Sequence, residues 1–303
     1  MISLPTIIIT SLGRTGTKFF AKFFQSIIPS SISIHEPDII HGMKSGQSTS
    51  EYLCQLIHQI NKNGFQNLII KKMFGNYSLI KVSDKRLTQK VKDNEAVKQM
   101  YQQRSYLTSR LQAPLYIESN SGYYGLINLI ENVFDNVRVI YIVRDGKEWV
   151  RSWMNWGIIY EKNFLNSIFG HNWVKATELK DDSYSDKWYS MSRFEKTCWA
   201  WATLNKYSLS QINSTQVCKL FKFEDLFLDN NKLSRIKDLI EFCIDIPGLE
   251  NIQIQKEPLE IILSQRENRS EKDFPEYCAW SKQQKTFFNE TCGPLMMELG
   301  YQL

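Results

Sequence analysis

A β-like run, Thr6 to Thr10, gives way within a few residues to a helix opening Phe19-Phe20-Ala21-Lys22-Phe23-Phe24, and the turn between them is framed by Gly13 and Gly16. A strand entering a helix through a tight glycine turn is a phosphate cradle. The glycines let the backbone turn back on itself, and the helix start offers unpaired N–H groups and a positive dipole end. Arg14 and Lys18 add fixed positive charge around the same point. The turn reads Ser11-Leu12-Gly13-Arg14-Thr15-Gly16-Thr17-Lys18 and lacks the Gly-Lys-Ser/Thr ending of an ATP or GTP loop. The expected anion is therefore not the triphosphate of a magnesium nucleotide.

The rest of the chain repeats the strand-then-helix alternation. Ser31 to His35 reads as a short strand stopped by Pro37, Leu68 to Met73 as a buried strand, and Leu115 to Ile117 as a strand ending Glu118-Ser119-Asn120. Val137 to Val143 is an apolar run interrupted only by Arg138, which implies burial on both faces, and it feeds Arg144-Asp145-Gly146 and a helix. Val217 to Phe223 reads as a last strand, ending Glu224-Asp225. Helices are expected over Glu51 to Asn61, through the basic segment Val82 to Leu111, from Leu126 to Phe134 and from Ser192 to Ile212. The pattern predicts a three-layer α/β fold with a mainly parallel central sheet flanked by helices, whose ligands sit beyond the C-terminal strand ends. At 303 residues and 43% hydrophobic the chain suits a single domain, with insertions near 42–112 and 153–190. The second insertion is aromatic and irregular, and reads equally as a lid or as a packed loop.

Charge and cysteine usage narrow the partners. From Lys62 to Arg110 there are eleven Lys/Arg against three acids, either a solvated face or a stretch that steers an anion. No nucleic-acid reader motif accompanies the charge. Six scattered cysteines without Cys-x-x-Cys spacing predict reduced thiols, with neither a metal site nor a disulfide framework. No run approaches a membrane span and no cleavable leader precedes the first strand, so the expectation is a cytoplasmic protein.

Two of these motifs together resemble the sulfotransferase family that uses 3′-phosphoadenosine-5′-phosphosulfate (PAPS). Ser11 to Thr17 is similar to the family's 5′-phosphosulfate loop, and Ile140-Tyr141-Ile142-Val143-Arg144-Asp145, with Ser152 eight residues beyond Arg144, to its 3′-phosphate motif. His35-Glu36-Pro37, Phe223-Glu224-Asp225-Leu226 and a tail with Trp280, Cys292, Met296 and Leu299-Gly300-Tyr301 match in support, closer to the bacterial and Golgi-type branch than to the cytosolic aryl branch. The resemblance implies the sulfotransferase variant of the P-loop nucleoside-triphosphate-hydrolase-like fold. It also implies sulfuryl transfer from PAPS, without a metal, to a hydroxyl or amine of a glycan, lipid or small-molecule acceptor.

On that resemblance Gly13, Arg14, Thr15, Gly16, Thr17 and Lys18 hold the phosphosulfate, Arg14 lying beside the leaving oxygen, while Arg144 and Ser152 take the 3′-phosphate. Arg269, with Arg266 and Lys272, falls where relatives fold a loop over the adenosine, and Trp280 is expected near it. The acceptor's proton goes to Glu36 or, as second choice, to His35; a His-Glu pair that merely finishes the strand is the bland alternative. The family often carries a lysine near Ser119, so either Lys71 or Lys72 replaces that charge or the loop cations suffice. Glu224-Asp225 reads as an anchor for the following helix. An ATP-dependent small-molecule kinase, or a nucleotide-binding module without catalysis, stand as alternatives. Oligomeric state is open.

Overall fold

The computed structural model describes residues 1–37, 48–51, 53–54, 57, 78–156, 159–160, 173–255 and 274–303. In chain order the elements are β1 (Thr6–Ser11), α1 (Thr17–Ile27), β2 (Ile32–His35), α2 (Leu79–Leu87), α3 (Asp93–Thr108), β3 (Tyr116–Ser119), β4 (Val137–Val143), α4 (Gly146–Trp156), α5 (Arg193–Ile212), β5 (Cys218–Lys222), α6 (Phe223–Phe227), α7 (Lys232–Ile244) and α8 (Lys282–Glu298). The expected strand at Leu68 to Met73, and most of the expected helix from Glu51, lie outside the described residues, as do Lys71, Lys72, Arg266, Arg269 and Lys272.

The described strands form a sheet of order β2-β3-β1-β4-β5. Every pairing is parallel, with Thr6 opposite both Tyr116 and Val137. Side-chain alternation sends Ile7, Ile9, Ile140 and Ile142 to one face, against Phe20, Phe23, Phe24 and Ile27 of α1 and Ile236 and Leu239 of α7. Ile8, Val137 and Val139 point to the other face. Tyr141 and Val143 share that face and meet Trp149, Trp199 and Trp201 of α4 and α5. Each fully buried Phe of α1 contributes about 2 kcal/mol by leaving water, and that stripe forms the apolar face by which the helix docks. Because the chain leaves β1 toward one edge of the sheet and leaves β4 toward the other, a crevice opens between the C-terminal ends of these two neighbours, the usual ligand position in such sheets.

Several local expectations change. The helix expected from Leu126 to Phe134 is instead a pair of 3-10 turns, Ser121–Tyr123 and Ile127–Asn132. A compact path is imposed by α2: a Cβ on Gly122 would lie 2.8 Å from the Ile80 nitrogen, and one on Gly125 2.9 Å from Ser83 Cβ. The basic segment is two helices, broken where Gln89 takes φ 56. Its arginines are partly structural. Arg104 is buried in a bidentate pair with Glu118 of β3, Nε to Oε2 at 2.6 Å. Arg86 is held by Asp93, the Gly125 carbonyl, Asn128 and Gln211. The last strand stops at Lys222, so Glu224 and Asp225 sit in the first turn of α6, where carboxylates suit the helix dipole. In the 153–190 region the described residues Trp153, Tyr160, Trp173 and Trp188 are packed ring to ring, which favours the packed loop over the lid. Trp280 is likewise spent in the core, edge-on to Phe194 and Phe288.

Candidate active site

The β1–α1 turn has the backbone that its glycines require. Gly13, Arg14 and Gly16 all take positive φ, at 75°, 57° and 77°. A Cβ on Gly16 would meet the Phe227 ring at 3.3 Å. Inside the turn, Ser11 Oγ accepts from the Gly13 N–H at 3.0 Å and from Thr15 Oγ1 at 2.6 Å, which ties the loop to the strand it leaves. Gly16 is the N-cap of α1, so no side chain caps the helix and its first turn carries no acid. Its leading N–H groups therefore face the crevice ready for an external anion.

The two anion motifs meet across that crevice. Arg144, just past β4, donates from Nη1 to the Arg14 carbonyl at 2.9 Å. Arg14 in turn donates from Nε to Ser152 Oγ of α4 at 2.9 Å and lies 5.3 Å from the exposed Trp156 ring. The loop is fixed from the same side by Trp149, whose indole donates to the Gly13 carbonyl at 3.0 Å. Burial first, and then the charge of Arg144, hold the Arg14 guanidinium below its ordinary pKa. Arg144 is also depressed by burial, against which Glu148, Glu224 and Asp145 act. Its Nε is buried without a hydrogen-bond partner among the described residues, and the closest carboxylate oxygen paired with it, on Glu148, is 3.8 Å away. Two neighbouring guanidinium groups, partly dried and under-neutralised, make a strong trap for a multiply charged anion. Arg14, the cation expected beside a leaving oxygen, thus has its Nε on Ser152.

The ends of β2 and β3 supply a second cluster. Glu36 takes φ 43, a strained value for a residue before proline, and its N–H donates to the Ser119 carbonyl at 2.9 Å. Ser121 Oγ donates to Glu36 Oε1 at 2.9 Å, and His35 Nε2 stands 3.6 Å from Glu36 Oε2. His35 Nδ1 lies 3.1 Å from the Ser119 carbonyl, so this nitrogen carries the proton and Nε2 faces Glu36. Burial lowers the His35 pKa, the Ser119 contact raises it and the Lys18 charge lowers it again. Ser119, where a lysine was the expectation of the family pattern, donates its hydroxyl to the Thr17 carbonyl and so locks the first residue of α1 to β3. Below it, Glu118 accepts from Tyr116, Tyr123 and Asn120 as well as Arg104, a fully satisfied buried charge that makes the floor rigid.

The structure thus brings Gly13 to Lys18, Arg144, Ser152, His35 and Glu36 to neighbouring strand ends. Trp149 and Ser121, to which the motifs gave no role, complete it together with Phe223, whose ring lies 4.7 Å from the Arg144 guanidinium carbon. Among the described residues no group of three or more His, Cys, Asp or Glu side chains is arranged to hold a metal ion, and no helix is long and apolar enough to cross a membrane.

No family model matches this chain and no curated protein matches its sequence. Solved structures align with its whole length. A sulfotransferase domain from the olefin synthase of Synechococcus PCC 7002 is 13% identical, covering 100% of this chain and 96% of that one, with a TM-score of 0.44. A sulfotransferase domain from the curacin biosynthetic pathway is 13% identical with 99% of each chain covered and a TM-score of 0.41. A sulfotransferase from Alicyclobacillus acidocaldarius is 9% identical, covering 100% and 98%, with a TM-score of 0.44. Scores below 0.5 at such identities carry no weight for assigning a function, which rests on the chain's own residues.

Proposed function

We propose that the chain is a sulfotransferase that takes its sulfuryl group from PAPS and passes it to a hydroxyl or amine of a glycan, lipid or small-molecule acceptor. The observation that carries the proposal is the contact between two motifs 130 residues apart: Arg144 bonds the backbone of the Gly13–Thr17 turn while Arg14 bonds Ser152. A donor with a phosphosulfate at one end of an adenosine and a phosphate at the other needs two anion subsites at adjoining strand ends. The uncapped start of α1 fits the first, and Arg144, Ser152 and Arg14 fit the second. The buried, partnerless Nε of Arg144 supports a resident anion there.

The donor supplies an activated sulfuryl group whose departure leaves negative charge on the 5′-phosphate. Fixed N–H groups of α1 and the cation of Lys18 then stabilise that charge without reorganising. Glu36, braced by Ser121 and with His35 Nε2 beside it, is the group set to accept the acceptor's proton. Ser119 is spent on Thr17, so the charge that a lysine would bring at this strand end is left to the loop cations.

The test is a thermal-shift comparison of adenosine 3′,5′-bisphosphate with AMP and with ATP plus magnesium, followed by an acceptor screen with labelled donor. The bisphosphate should stabilise the chain most. A larger shift with ATP and magnesium would replace the proposal with a kinase. Binding without transfer to any acceptor would leave the nucleotide-binding module.

A further inference from the structure

Past the end of α8 the chain turns through Gly300, at φ 68. The Tyr301 N–H returns to the Met296 carbonyl at 2.8 Å and the Gly300 N–H to Met297 at 2.9 Å, a Schellman closure. That closure aims Tyr301 across the C-terminal ends of β4 and β5. Its hydroxyl donates to Glu224 Oε2 at 2.8 Å and stands 3.5 Å from the Val143 carbonyl. Glu224 uses its other oxygen, Oε1, to accept the Asp145 N–H at 3.1 Å. Met296, one turn back, receives the Gly146 N–H on its sulfur at 3.2 Å. Lys222 lies 4.6 Å over the Tyr301 ring and reaches the Gly300 carbonyl, and Lys147 donates to the Gln302 carbonyl at 2.8 Å.

Two of these contacts grip the Arg144-Asp145-Gly146 backbone directly, Glu224 at the Asp145 N–H and Met296 at the Gly146 N–H. The Arg144 carbonyl is itself held by the Trp201 indole at 3.1 Å. The arginine enters the crevice from a backbone gripped on both sides, and one of those grips is a two-bond relay from Tyr301 through a part-buried carboxylate. Burial pushes the Glu224 carboxyl up, and the Tyr301 and Asp145 bonds oppose that rise.

We propose that Tyr301 is a positioning residue for the 3′-phosphate subsite: through Glu224 it fixes the Asp145 N–H and with it the direction of the Arg144 guanidinium. The proposal rests on the nucleotide reading above and deepens it, since it assigns selectivity for a 3′-phosphate to a residue that touches no ligand. A guanidinium misaimed by a fraction of an ångström loses bidentate contact with a phosphate while keeping its charge.

The test is a double-mutant cycle read by calorimetric titration of adenosine 3′,5′-bisphosphate and of AMP against wild type, Tyr301→Phe, Arg144→Ala and the double variant. Tyr301→Phe keeps the ring beneath Lys222 and removes only the hydroxyl. It should weaken the bisphosphate about tenfold, leave AMP within about twofold, and add little once Arg144 is gone. Glu224→Gln, which keeps one acceptor oxygen of the two, should show the same ligand-selective loss. Equal weakening of both nucleotides, no weakening of either, or full additivity with Arg144→Ala would overturn the positioning role and leave the nucleotide reading intact. Failure of Arg144→Ala itself to discriminate between the two nucleotides would overturn that reading, and this proposal with it.

Discussion

Arg144→Ala is the most direct perturbation of the site, and its size follows from how the guanidinium is already used. Part of Nη1 is spent on the Arg14 carbonyl at 2.9 Å. Nη2 and the rest of Nη1 are left for a ligand: Nη2 has Glu148 at 3.8 Å, while Nε is buried with no partner among the described residues. Two charge-assisted bonds to a phosphate contribute ~1.5–3 kcal/mol each. Two terms reduce the total. Glu148 competes for Nη2, and removing Arg144 relieves the charge repulsion that depresses Arg14. A net loss of about 3 kcal/mol, or roughly 100-fold in Kd, is expected for adenosine 3′,5′-bisphosphate. AMP, which lacks the 3′-phosphate, should change by less than about threefold. Arg144→Lys keeps the charge without the planar fork and should fall between, near tenfold. Calorimetric titration at one fixed ionic strength measures all three, because surface charge contributions move with salt. A change below about threefold for the bisphosphate, or an equal loss for AMP, refutes the assignment of Arg144 to a 3′-phosphate.

Other consequences are sharp enough to measure. Glu36→Gln retains an oxygen for the Ser121 hydroxyl and loses the proton acceptor, so steady-state assays should show turnover down by about 10²–10⁴ with nucleotide affinity close to wild type; undiminished turnover places the base elsewhere. Gly16→Ala forces a Cβ against Phe227 at 3.3 Å in a backbone at φ 77. It should cost about 1–3 kcal/mol in urea unfolding and weaken the bisphosphate and AMP together, since both use the α1 cradle. Asp84, buried beside Tyr124, has its carboxyl pushed up to about 7 by burial, with Lys81 and the Tyr124 hydroxyl opposing. Its unfolded value is near 3.9, so between these limits the folded state binds more protons than the unfolded one and stability falls as pH rises. The penalty is complete above pH 7, at about 4 kcal/mol from ~1.4 kcal/mol per pKa unit. Asp84→Asn should therefore be more stable than wild type in denaturant titrations at pH 8 and lose that advantage at pH 4; a constant difference across the range would exclude the linkage.

The parts of this fold that were legible in the sequence are those whose physical requirement is local. A turn at positive φ favours glycine, and Gly13 and Gly16 adopt it; a strand covered on both faces needs a run of apolar residues, and Val139–Val143 is one. What failed was decided by packing between distant segments. Nothing within Leu126 to Phe134 says that α2 presses on Gly122 and Gly125 closely enough to compress a helix into 3-10 turns. Arg104 was indistinguishable from its exposed basic neighbours, because the carboxylate that buries it, Glu118, lies on a strand it meets only in the folded state. The site divides in the same way. That Arg144 and Ser152 follow one strand into one helix could be read from the strand–helix pattern, whereas the direction of the Arg14 side chain depends on where α4 sets Ser152 relative to β1. The same limit hid Tyr301, whose hydroxyl reaches Glu224 across 77 residues of sequence. Pairing of that kind leaves a trace only in residue types that one position tolerates and its neighbours do not. At Tyr301 the tolerated set is narrow on physical grounds: phenylalanine keeps the stack with Lys222, and only a phenol both stacks there and supplies a proton to Glu224.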